Sequence, residues 1–155
     1  MFEAPLDAWY VWLGLAAVSA TAVGVVAGLP AAPPPDASGA AETVDRIAAS
    51  DHGTVAERPL PNTEALRVGT DTLSLRGPGG TTHATVGYGP VTPAASNDSL
   101  AAVLRGTPPD GEFDSPSQLT RTAAAARSRR PSWTETDRLI VRRVRWEGTD
   151  VVLVG

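Results

Sequence analysis

The sequence predicts an α+β protein made of an N-terminal transmembrane helix, a Pro-rich stalk, and a small antiparallel sheet with two or three helices. Three observations lead there. Residues 8–29 form a run of 22 without a charged side chain, and residues 30–37 carry four prolines. From residue 38 onward, β-rich stretches alternate with helix caps and glycine turns, and the chain closes on a hairpin. The 155-residue chain has no cysteine and a formal net charge of -4, which excludes a disulfide scaffold, a thiolate metal site and a cysteine nucleophile. The acidic balance also argues against a general nucleic-acid binder. All 13 basic residues are Arg, beside 15 Gly and 14 Pro, a composition that suggests a GC-rich genome and a salt-adapted proteome.

Residues 1–7 read as a short acidic tail containing Glu3 and Asp7. As a helix, residues 8–29 would be about 33 Å long, against roughly 30 Å of bilayer hydrocarbon. Trp9, Tyr10 and Trp12 cluster at one end, where amphipathic rings would meet headgroups. A cleaved signal peptide fits less well, because no basic residue precedes the apolar run. Ala16, Ala20, Gly24 and Gly28 recur every fourth residue. Such a stripe lets helix backbones approach closely, so association with a second copy or a partner helix is expected through it. The flanking charges leave orientation almost open.

Residues 30–37 form a stiff linker, since each proline lacks an amide donor. The remaining 38–155 are expected to fold as one α+β domain. A helix over 38–50 buries Val44, Ile47 and Ala48 and ends at Asp51-His52-Gly53. Strands follow at 54–57, 65–68, 72–76 and 81–88, with Gly77-Pro78-Gly79-Gly80 turning between the last two. A short helix over 99–105 takes Asn97 or Asp98 as N-cap and stops at Gly106. Ser115-Pro116-Ser117-Gln118 combines a capping Ser, Pro at the first helical position and Gln three residues after the cap. The helix it opens runs through Ala126, with Arg127, Arg129 and Arg130 at its negative end and Pro131 as its stop. Residues 139–146 and 149–154 flank Glu147-Gly148 as a two-residue hairpin. That register sets Trp146 against Thr149, Arg145 against Asp150 and Val144 against Val151, and the doubly apolar second strand should lie inside its sheet.

Chemistry-bearing patterns are sparse. His52 and His83 have no second ligand at zinc spacing, and no Gly-x-Ser-x-Gly elbow supports a nucleophile. The glycine-rich turn lacks a phosphate-binding Lys and precedes a strand. Neither a metal, a cofactor nor a nucleic-acid partner is therefore expected. Arg127, Arg129 and Arg130, with Arg138, Arg142, Arg143 and Arg145, form a candidate face for an acidic partner. Asn97-Asp98-Ser99 matches the N-glycosylation pattern, which requires an extracellular position.

The opening Met1-Phe2-Glu3-Ala4-Pro5-Leu6-Asp7-Ala8-Trp9-Tyr10-Val11-Trp12 and the ending Val141-Arg142-Arg143-Val144-Arg145-Trp146 resemble an uncharacterised family of small single-pass membrane proteins from halophilic archaea. The resemblance spans essentially the whole chain and implies an association with pilus-like or secretion assemblies, with no catalytic residues to carry over. A prepilin-type processing site is missing before the apolar run. The expected function is a non-enzymatic accessory or assembly subunit of the cell envelope, anchored in the lipid bilayer with its domain outside and a protein partner bound. The alternative is an adaptor on the cytoplasmic side of the membrane, docking an acidic partner through the arginine face.

Overall fold

A computed structural model describes residues 6–27, 32–50 and 53–155, and within the first segment it describes side chains at residues 9–20. The chain divides into two compact units, Met1–Ala31 and Ala32–Gly155. In the first, helix α1 spans Leu6–Ala27 and its described side chains are all exposed. The transmembrane helix expected over residues 8–29 must be corrected: among the described residues, no helix is long and apolar enough to cross a membrane. The described side chains of α1, residues 9–20, include Trp9, Tyr10, Gly14 and Ser19, which dilute the aliphatic content.

The second unit begins with α2, Ala37–Ala48, capped by Asp36, whose carboxylate accepts the Gly39 N–H at 2.9 Å. Ala37, Ala40, Ala41, Val44 and Ile47 recur at helical spacing and are buried. The helix starts one residue earlier than expected because its cap lies at the end of the proline run. Strands β1 (Val55–Pro59), β2 (Ala65–Val68), β3 (Thr72–Gly77), β4 (Gly80–Thr85) and β5 (Thr92–Pro93) come next. Helices α3 (Asp98–Leu104), α4 (Pro109–Glu112) and α5 (Pro116–Ser128) follow, then β6 (Trp133–Glu135), β7 (Arg138–Trp146) and β8 (Thr149–Val154).

The unit is α+β, but it holds two four-stranded sheets where one antiparallel sheet was expected: β1-β7-β8-β5 and β4-β3-β2-β6. One pairing, β5 with β8, is parallel. The strand expected over 81–88 stops at Thr85, because the N–H groups of Gly87 and Tyr88 leave the ladder for the Asp45 carboxylate, at 3.1 and 2.9 Å. The terminal hairpin follows the expected register, with Trp146 opposite Thr149, Arg145 opposite Asp150 and Val144 opposite Val151. Glu147 and Gly148 both have positive φ, 44° and 80°, as a two-residue turn matched to strand twist requires. The second hairpin strand, β8, lies between β7 and β5.

Two apolar clusters flank the first sheet. Successive strand side chains alternate faces, so Leu139, Val141 and Val154 meet α2 and the inner side of the second sheet, at Leu66, Leu73 and Leu75. Val144, Val151 and Leu153 meet Leu100, Val103, Leu119 and Ala123 of α3 and α5. The capping motifs hold these helices in place. Asn97 Oδ1 accepts the Leu100 N–H at 2.9 Å, and Ser115 Oγ accepts the Gln118 N–H at 3.3 Å. Gln118 Oε1 in turn accepts the Asp114 N–H at 2.7 Å, one residue beyond the usual capping-box partner.

Candidate functional site

The outward side of the second sheet gathers two arginines, a histidine, a serine and a tryptophan. Its inner side is apolar because Leu66, Val68, Leu73 and Leu75 alternate toward the core. The same alternation turns Arg67, Ser74, Arg76 and His83 outward. Register pairs Trp133 with Arg67, Arg67 with Ser74 and Ser74 with His83, so one transverse row crosses all four strands. The neighbouring row is Glu135, Ala65, Arg76 and Thr81.

Two guanidinium groups lie against one indole: the central carbons of Arg67 and Arg76 are 4.7 and 4.8 Å from the Trp133 ring centroid. Each is attracted by the ring's negative face. Ala65 belongs to this side yet is only 1% exposed, which places it beneath the stack. Ser74 Oγ lies 2.8 Å from His83 Nδ1 and 3.4 Å from Arg67 Nη2. Arg67 can only donate to that oxygen, and the direction of the Ser74–His83 bond follows the imidazole tautomer. Among the described residues no carboxylate is hydrogen-bonded to the ring, and the serine sits within a regular strand, β3. A recess of about 180 Å³ lined by Arg67, Gly69, Thr72, Ser74 and Pro131 opens beside the row. A second cavity, of about 190 Å³, has an apolar floor of Leu66, Val68 and Val154 and a rim carrying Arg129 and Arg130.

The seven arginines expected to share a face are dispersed. Arg142 turns to the helical side of β7, where Nη1 donates to Val103 O and, at 3.0 Å, to Thr107 O. Arg143, one position on, turns to the other side. Its guanidinium donates to Ser50 O and holds Asp150, to which Arg145 adds a longer contact of 3.5 Å. The Arg143 hydrogen bond is the main reason the Asp150 carboxyl lies below its ordinary pKa. Arg138 bonds Asp137 and Glu57, which together raise its pKa. Arg127 donates to Thr92 Oγ1 and Arg129 to Ser96 O, tying α5 to β5 and the turn after it.

The other sequence candidates are separately placed. Ala16 and Ala20 are exposed on α1, Gly24 lies in the same helix beyond its described side chains, and Gly28 lies outside the described residues. His52 is also outside them. Asn97 is half-buried as the α3 cap, with its carbonyl oxygen engaged. Among the described residues, no group of three or more His, Cys, Asp and Glu could hold a metal ion. The Trp133 row was missed in the sequence because its members are adjacent across strands and lie up to 66 positions apart, from Arg67 to Trp133.

Residues 3–144 match a family described as "Family of unknown function (DUF7283)". No curated protein and no solved structure matches the chain.

Proposed function

This chain belongs to DUF7283, a family of unknown function, and we propose that it is a non-enzymatic accessory subunit of a cell-envelope assembly that binds an acidic protein partner through the Trp133 row. The observation that carries the reading is the stack of Arg67 and Arg76 on one indole. Trp and Arg are enriched among the residues that carry binding energy at protein interfaces, and a guanidinium already held over a ring loses little freedom when it meets a carboxylate. The Arg76 guanidinium has no hydrogen bond or ion pair among the described residues, so its donors are available to a partner. The envelope context comes from the resemblance to small proteins of halophilic archaea linked to pilus-like or secretion assemblies. An outside location is favoured by Asn97-Asp98-Ser99, where the cap uses the Asn97 oxygen and leaves the amide nitrogen for a glycan.

The test is copurification from the native organism with full-length wild type and with Arg76→Ala and Trp133→Ala chains. Wild type should retain an acidic protein that both variants lose, while all three keep the same far-UV spectrum. Retention by Trp133→Ala would refute this site. Digestion of the domain on intact cells, or a glycan on Asn97, supports the outside location; protection supports a cytoplasmic adaptor.

A further inference from the structure

We infer that two copies of this chain pair edge to edge through β4, antiparallel about a two-fold axis at His83, joining two four-stranded sheets into one of eight strands. The hydrogen-bond phase of β4 is fixed from within. The Val86 N–H donates to Asp71 O at 2.8 Å, and the same register pairs Ala84 with Leu73, Thr82 with Leu75 and Gly80 with Gly77. Antiparallel ladders alternate bonded and non-bonded pairs, so Thr82 and Ala84 direct their peptide groups to β3, while Thr81, His83 and Thr85 direct theirs away. The next outward N–H, that of Gly87, is taken by Asp45. Among the described residues, β4 pairs with β3 alone and no other backbone group reaches Thr81, His83 or Thr85.

The other described sheet edges are blunted. Bonds from Leu60 N–H to Asp137 O and from Arg143 N–H to Thr54 O turn Val55, Glu57 and Pro59 outward on β1. Pro59 has no donor, and Glu57 is held by Arg138 at 2.8 Å. Strand β5 has two residues and β6 has three. Strand β4 has six, with no proline and neither an acidic residue nor an arginine. Natural sheets protect such an edge or use it.

Self-complementarity selects the occupant. The outward residues read Thr-His-Thr, a palindrome about His83. The antiparallel register that uses all three sets His83 against the second copy's His83 and Thr81 against the second copy's Thr85. Thr–Thr pairs of this kind are favourable. Helix α2 runs along the inner side of β4, with Pro35 O accepting from Thr82 Oγ1 and Asp45 meeting Gly87 and Tyr88. The axis is therefore level with its first turn, and the two helices diverge from that point. Trp133 lies on β6, the opposite edge strand, and His83, at the far end of the same transverse row, marks the pairing edge.

The chain has no cysteine, so a His83→Cys variant of the full chain carries a single thiol. Facing residues of a bonded antiparallel pair have Cα atoms about 5.5 Å apart, within disulfide reach. Mild oxidation should give a linked dimer for His83→Cys and none for Asp110→Cys, an exposed position elsewhere. Equal linkage in both would overturn the pairing. In the unaltered chain, amide exchange at Thr81, His83 and Thr85 should slow as concentration rises; rapid exchange at every concentration would equally refute it. Sedimentation supplies the last arm, in which Thr81→Lys/Thr85→Lys should be monomeric, and a persisting dimer would assign association to another surface.

Discussion

At the residue scale, the arginines of β7 show how alternation divides adjacent identical side chains between different tasks. Arg142 closes the end of α3 by donating to Val103 O and Thr107 O, whereas the Arg145 side chain is 51% exposed at the end of the hairpin. Arg142→Met should therefore cost about 1.5–3 kcal/mol in urea unfolding, and Arg145→Met no more than about 0.5 kcal/mol. Asp150 gives a pH signature. Its pKa is depressed by Arg143 and then Arg145, so its contribution is present above the ordinary carboxylate range near pH 4 and is lost as pH falls through the lower native value. At 36% exposure that contribution is about 1 kcal/mol. Comparing the unfolding midpoints of wild type and Asp150→Asn should show the largest gap at neutral pH and none at the acid end.

At the scale of elements, local signals acted where a single short segment determines the outcome. Removing the caps should be costly: Asn97→Ala and Ser115→Ala are each expected to lower unfolding free energy by about 1 kcal/mol, measurable as shifts in the urea midpoint. The Glu147-Gly148 hairpin was legible because a two-residue loop with positive φ fixes the register of both strands at once. Ser115 to Gln118 was legible because a capping pattern is local chemistry. The pairing of Thr92 with Leu153 was not, since it joins distant segments in parallel and a two-residue strand carries no periodicity. Strand β6 was hidden for a similar reason: three residues after Pro131 become a strand only because β2 supplies the ladder. The candidate site depended on that hidden strand. Without β6, nothing in the linear order of the chain places Trp133 beside Arg67 or Arg76. Conversely, the arginine-rich run was conspicuous in sequence, and alternation then sent its members to opposite sides of β7.

At the scale of the whole unit, the organising feature is the β7–β8 ribbon at the centre of the first sheet, with apolar clusters on both faces. Leu139 and Leu153 are fully buried on opposite sides of it. A full-length chain should lose its stability when either is replaced by Ala, by about 2–5 kcal/mol in denaturant titrations. A chain terminated after Trp146 should lose the cooperative transition entirely, because β5 then has no partner strand and both clusters lose a wall. The ribbon also follows β1 and β5 along the chain. While a ribosome is still translating, β1 and β5 have already emerged with their eventual neighbours not yet made, so the first sheet cannot close segment by segment. Nascent chains stalled before the hairpin should accordingly be protease-sensitive and dependent on chaperones, and emergence of the hairpin acts as the signal that permits folding.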